Sequence, residues 1–126
     1  QAFSNYKNIN FYDAVPNNKL PEVMSRYRFG MLLSEYEGMP KVAIEMQAMG
    51  LVLVATPAGN LSEILKHDEN AILAPFEKSL WSKLFLKLSS YPEWKLESIR
   101  NSASETIEKF SVKNAILKEL RAWENF

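Results

Sequence analysis

At 126 residues, with 47% apolar side chains, the chain has enough material for one domain with a packed core. Its 15 basic and 15 acidic residues balance, so no net positive field exists to hold nucleic acid or an acidic membrane. With no cysteine, disulfides and thiolate zinc sites are excluded, and no apolar run reaches the roughly 20 residues that a membrane helix needs.

The stretch from Gln1 shows no basic-then-apolar leader, and the lack of cysteine fits a reducing, cytoplasmic setting. Ile9 and Phe11 alternate with polar neighbours, which predicts a short strand over 8–13. Val15-Pro16-Asn17-Asn18 is turn chemistry. Leu20, Val23, Met24 and Tyr27 have helical spacing, with Pro21 tolerated in the first turn. Phe29 to Leu33 reads as a buried strand. A helix follows over about 40–49, with Val42, Met46 and Met49 as its apolar stripe and Gly50 in the C′ position. Leu51 to Ala55 is the most apolar strand. A short helix over Asn60–Leu65 follows, where Asn60 and Glu63 are spaced like a capping box. Ile72 and Leu73 mark a last strand.

From residue 78 the pattern turns helical. Leu80, Trp81, Leu84, Phe85 and Leu88 form one stripe. Pro92 opens a helix carrying Leu96, Ile99, Ala103 and Ile107, and Ser111 caps a third with Val112, Ile116, Leu120 and Trp123. The late lysines and arginines alternate with acids, as on solvated helix faces. His67 reads as a surface helix cap, and Trp81, Trp94 and Trp123 as packing residues. Strands alternating with helices predict an α/β fold with a mainly parallel sheet, over 1–75, followed by a helical C-terminal third, over 76–126, as one truncated domain.

One segment carries chemistry. Glu37 and Glu45 flank a helix opened by Pro40, directly after the strand Phe29–Leu33. Gly38 allows close approach to the backbone, and Pro40 suits a first helical position, where its missing N–H costs nothing. The next N–H groups have no partner within the helix, and with the helix dipole they attract anions. A carboxylate beside such a site repels phosphate, so hydroxyl binding would give it a purpose. Each charge-assisted hydrogen bond of that kind is worth roughly 1.5–3 kcal/mol. A nucleotide-sugar, with two anionic phosphates flanked by two hydroxyl-rich rings, is one molecule that would suit such a site. A plainer reading stands beside this one: Glu37 complements the dipole and Glu45 is a surface residue.

The order Ser34-x-x-Glu37-Gly38-x-Pro40-x4-Glu45-x2-Ala48-x-Gly50 closely resembles the signature of retaining GT-B glycosyltransferases, the glycosyl transferases group 1 (family 4). Around it, Asn10-Phe11-Tyr12-Asp13 resembles a strand ending in Phe-x-Gly, and Leu51 to Thr56 the next hydrophobic strand. Gly59-Asn60-Leu61-Ser62-Glu63-Ile64 resembles a Gly-Gly-x-x-Glu turn and helix. Asp68 to Pro75 resembles Asp-Gly-x-Asn-Gly followed by two apolar residues, x and Pro, and Phe110-Ser111-Val112 resembles Phe-Ser-Trp. Departures are Asp13, Asn60, Glu69 and Ala71 at glycine positions and Val52 at a proline position.

The resemblance implies a partial Rossmann-like fold, the C-terminal, donor-binding domain of a two-domain enzyme. It implies transfer of a sugar from a nucleoside diphosphate to an acceptor hydroxyl with retention, without metal or cofactor, in polysaccharide biosynthesis. Glu37 would bind donor-sugar hydroxyls and steady charge at the anomeric carbon. Backbone N–H groups around Gly38, Met39 and Lys41 beside Pro40 would face the distal phosphate and sugar, with Ser34 at the start of the signature. Glu45 would hold the ribose, and the loop from Asp13 to Val15 would meet the base. The acceptor, a glycan or lipid-linked sugar, would sit on an absent N-terminal half. Two further strands and a basic loop expected upstream have no counterpart, so the sheet is expected to be rearranged or to carry open edges that favour self-association. The setting would be cytoplasmic or peripheral to the inner membrane face. A sugar-nucleotide epimerase of the same architecture and a non-catalytic nucleotide- or protein-binding fragment remain as alternatives.

Overall fold

A computed structural model describes residues 7–36 and 41–109. Its centre is β2 (Val52–Ala55), four apolar residues with no solvent exposure. β2 pairs in parallel with β1 (Phe29–Leu32), from Phe29 opposite Val52 to Leu32 opposite Ala55. On its other side it pairs in parallel with β3 (Ile72–Leu73), Val54 opposite Ile72. The order is β1-β2-β3.

Side chains of a strand alternate between faces, so four buried residues in succession need cover on both sides. Leu53 and Ala55 pack with Ala43 and Met46 of α2 (Lys41–Ala48) and with Leu61 and Ile64 of α3 (Leu61–Ile64). Val52 and Val54 pack with Leu84 and Leu88 of α4 (Trp81–Ser90) and with Leu96 and Ile99 of α5 (Glu93–Glu108). Two successive crossovers that advance the same way across a sheet, with the same hand, put their helices on one face, as α2 and α3 are. α5 packs against α2 as well as against β2. Ahead of β1 lie a single 3₁₀ turn (Asn17–Lys19) and α1 (Leu20–Met24), with Pro21 in its first turn and no buried residue.

α2 stops where the pattern predicts. Gly50 has φ 80°, its N–H reaches the Gln47 carbonyl at 2.9 Å, and the Leu51 N–H reaches the Met46 carbonyl at 3.1 Å. This is the Schellman arrangement, and only glycine enters that left-handed region without strain. At the same edge of the sheet the helical third is clamped. Arg28, one residue before β1, pairs with Glu93 at the start of α5. Arg100 holds Glu93 at 2.6 Å and donates through Nε to the Gly50 carbonyl at 3.0 Å. Arg100 first, then Arg28, keeps the Glu93 carboxyl below the usual glutamate range.

Several expectations are corrected. Residues 8–13 form no strand: Ile9 and Phe11 are exposed, and no described strand lies beside them. Alternation alone supplies no pairing partner. The sheet closes up without a gap instead, and among the described residues β1 pairs on one side only. Asn60 is already in the helical region and makes no side-chain cap, so the Asn60–Glu63 capping box does not form. On α2 the buried residues are Ala43 and Gln47, while Val42, Met46 and Met49 are half-buried. The polar Gln47 can be inward because it has a partner there, described below. Trp94 is 70% exposed and fills no core. The helix expected from Ser111 lies outside the described residues. No described helix is long and apolar enough to cross a membrane.

Gly30 lets α2 approach β1. A Cβ there would stand 2.6 Å from Met46 Sδ and 3.3 Å from Leu51 Cδ2. Gly30→Ala is expected to lower stability by about 1–3 kcal/mol in urea unfolding, the range for overpacked sites. Adding Met46→Ala should leave the double variant more stable than the two single losses sum to, because the second change removes the clash.

Candidate functional site

The carboxyl ends of parallel strands are where open α/β sheets gather ligands. Here β1 ends at Leu32 and β2 at Ala55, and Thr56 ties the two together. The Thr56 N–H donates to the Leu32 carbonyl at 3.1 Å, and its buried hydroxyl donates to the Ser34 carbonyl. The Ala58 N–H turns back to the Thr56 carbonyl at 2.8 Å. Gly59, at φ 54°, then opens α3. The rim of the sheet is thus set by Thr56 holding the backbone of Ser34, the first residue of the signature.

α2 begins at Lys41, seven residues after Ser34. Lys41 Nζ lies 3.5 Å from Glu45 Oε1, one turn along the helix. The Glu45 side chain is 32% exposed and that of Lys41 82%. Glu45 therefore sits partly sheltered on the helix flank, with a cation that can orient it. Of the sequence candidates, Lys41 and Glu45 are brought together, and Ser34 is fixed to the neighbouring strand end. Glu37, Gly38, Met39 and Pro40 lie outside the described residues. Asp13 is exposed and Val15 half-buried in a segment without regular structure, and neither shares a described hydrogen bond or ion pair with Ser34, Lys41 or Glu45.

Asn70 is the buried polar keystone of the domain, 2% exposed. Its Oδ1 accepts from the Lys66 N–H at 2.8 Å, and its Nδ2 donates to the Ile64 carbonyl at 3.0 Å and the Thr106 hydroxyl at 3.2 Å. Its own carbonyl accepts from Gln47 Nε2 at 2.7 Å. One asparagine thereby links α2, α3, α5 and the loop before β3, and every polar group in it is satisfied. The left-handed residue of that loop is Asp68, at φ 59°. Counted back from Asn70, Asp68 holds the place of the glycine in Asp-Gly-x-Asn, one residue earlier than the resemblance put it. Aspartate tolerates that region better than most side chains.

Asp68 is also an electrostatic centre. Tyr91 donates its hydroxyl to Oδ1, Lys87 Nζ stands 3.8 Å from Oδ2, and Lys95 Nζ donates to the Asp68 carbonyl at 2.8 Å. Burial pushes the Asp68 carboxyl up, but Tyr91, His67, Lys87 and Lys95 together outweigh it and hold the group below its usual range. Burial, then the Asp68 acceptor, raises the Tyr91 hydroxyl, which stays a donor. His67 is no helix cap: its Nδ1 accepts from the Leu73 N–H at 3.0 Å and so tethers the loop to β3. Sequence reasoning assigned no role to Thr56 or Tyr91. Their only signal was position, a threonine ending an apolar strand and a tyrosine before a proline.

The family model described as "Glycosyl transferases group 1" matches residues 1–88, and the chain belongs to that family. Among solved structures it is similar to the C-terminal domain of a glycosyl transferase group 1 family protein (LpcC) from Francisella tularensis. The TM-score is 0.63 at 21% identity, covering 81% of this chain and 53% of that one. This likeness supports the GT-B C-terminal, Rossmann-like fold, and the chain spans about half the length of that structure. No curated protein matches the chain.

Two outcomes follow from the loop before β3. Asn70→Ala leaves the Lys66 N–H and the Ile64 carbonyl without their partner and is expected to cost about 1–3 kcal/mol in chemical unfolding. Asp68 has a depressed folded-state pKa, so its charge contributes stability above the unfolded value, near pH 4, and that contribution disappears as pH falls through the lower folded value. The stability difference between the wild type and Asp68→Asn, which keeps the left-handed backbone accessible, should be largest near neutral pH and shrink under acid in thermal melts.

Proposed function

We propose that this chain is the donor-binding portion of a retaining glycosyltransferase that moves a sugar from a nucleoside diphosphate to an acceptor hydroxyl. The observation that carries the reading is the placement of α2. It starts just beyond the carboxyl end of β1, with Ser34 tethered to Thr56 on one side and Glu45 half-sheltered on its flank. Its family membership and the Ser34-x-x-Glu37-Gly38-x-Pro40 order support the same reading.

In this proposal the free N–H groups at the helix start hold the diphosphate, and they stabilise the charge that develops on it as the sugar departs. Glu45 accepts hydrogen bonds from the ribose hydroxyls, and Lys41 neutralises it against the nearby phosphates. Glu37 binds the hydroxyls of the transferred sugar and steadies positive charge at its anomeric carbon. The backbone from Asp13 to Val15 meets the base. The reaction needs no metal or organic cofactor. The acceptor, a glycan or lipid-linked sugar, is held by a separate N-terminal half, and the flank of β1 that pairs with no described strand is a place for partner strands, including those of a second copy. The setting is the cytoplasm or the inner face of a membrane.

Titration of the chain with UDP-, GDP- and ADP-sugars by calorimetry tests the donor reading. One nucleotide class should bind, and Glu45→Ala should weaken it by about 10- to 100-fold, the loss of one or two charge-assisted hydrogen bonds. Equal or absent binding in wild type and variant would count against donor recognition and for a non-catalytic fragment.

A further inference from the structure

At the opposite edge of the sheet, the turn between α4 and α5 forms a shallow, open depression of about 310 Å³. It is lined by Asp68, Lys87, Ser90, Tyr91, Trp94 and Lys95. Trp94, among its lining residues, is 70% exposed, so its indole is accessible to a ligand in the depression. The floor is rigid rather than adaptable. Asp68 is locked between the Tyr91 hydroxyl and the Lys87 and Lys95 ammonium groups, and Lys87 lies 5.5 Å from the centre of the Tyr91 ring.

We propose that this depression is a second binding site, for an anionic saccharide such as a uronate-containing oligosaccharide, with a sugar ring stacked on Trp94 and its carboxylate drawn to Lys87 and Lys95. The chemistry of the walls selects this occupant. An exposed indole offers a flat apolar face that matches the C–H face of a pyranose. Ser90, whose hydroxyl proton goes to the Lys87 carbonyl, and Asp68 both present oxygen acceptors for ring hydroxyls. Lys87 faces the Asp68 carboxylate and Lys95 is held by the Asp68 backbone carbonyl, so the lining carries two ammonium groups against one carboxylate, a net positive charge that attracts an acid. Lys95 has one partner, the Asp68 carbonyl, and an ammonium has three donors, so it can also take a carboxylate. A peptide strand would need free backbone edges, which helices do not offer. The depression lies at the amino ends of the strands, away from Ser34 and Glu45, so this site does not rest on the donor reading.

The experiment uses the ¹⁵N-labelled chain, titrated separately with trigalacturonate and with neutral maltotriose. Trigalacturonate should shift the Trp94 indole N–H, identified by its disappearance in Trp94→Ala, together with the Ser90 and Lys95 amides. Trp94→Ala should weaken binding by at least about tenfold, as truncation of an aromatic anchor does, with an unchanged melting temperature because the side chain is exposed. Lys87→Gln should bring trigalacturonate affinity toward that of maltotriose. Glu45→Ala should leave these shifts intact, which separates the two sites. The proposal is overturned by the absence of shifts, by equal affinity for the neutral and acidic sugars, by shifts that survive Trp94→Ala, or by Trp94-dependent binding to anionic phosphatidylglycerol vesicles without any saccharide response.

Discussion

The domain depends on the burial of β2. Val52 to Ala55 have no exposure, so the strand is stable only with apolar cover on both faces and a neighbour at each edge. α2 and α3 cover one face, α4 and α5 the other, and β1 and β3 take the edges. Every element that bears on function is placed by this requirement. Where β2 ends, Thr56 reaches across to Ser34; where it begins, Gly50 delivers the chain from α2 and is gripped by Arg100.

The two ends of the sheet are built differently. At the carboxyl end the constraint is backbone geometry: two strand ends joined through one buried threonine, and a helix that starts close by. Oriented N–H groups at a helix start are suited to phosphate, and they need little side-chain charge. At the amino end the constraint is side-chain charge. Arg28, Glu93 and Arg100 form one cluster, and Asp68, Lys87, Lys95 and Tyr91 another. Exposed pairs of this kind contribute little to stability singly. Their joint effect is to fix the α4–α5 turn, which holds Trp94 outward.

Asn70 joins the two levels. Its side chain and carbonyl connect the loop before β3 with α2, α3 and α5, so the helix bearing Glu45 and the helix bearing Trp94 rest on the same buried group. Its partner Gln47 explains how α2 can carry a polar residue inward, which an apolar stripe read from spacing alone does not anticipate.

The sequence by itself determined the parallel α/β class, the positions of β1, β2 and β3, the stop of α2 at Gly50 and the family. These follow from local pattern: apolar runs, helical spacing, a glycine where φ must be positive, and motif residues in order. It misjudged residues 8–13, the cap at Asn60, the inward face of α2, the roles of His67 and Trp94, and which residue of the Asp68 loop turns left-handed. Those were decided beyond local pattern: no described strand lies beside 8–13, Gln47 turns inward to the Asn70 carbonyl 23 residues on, and His67 accepts from the Leu73 N–H of β3. Pattern reports what a segment can bury, but only packing decides against what it is buried.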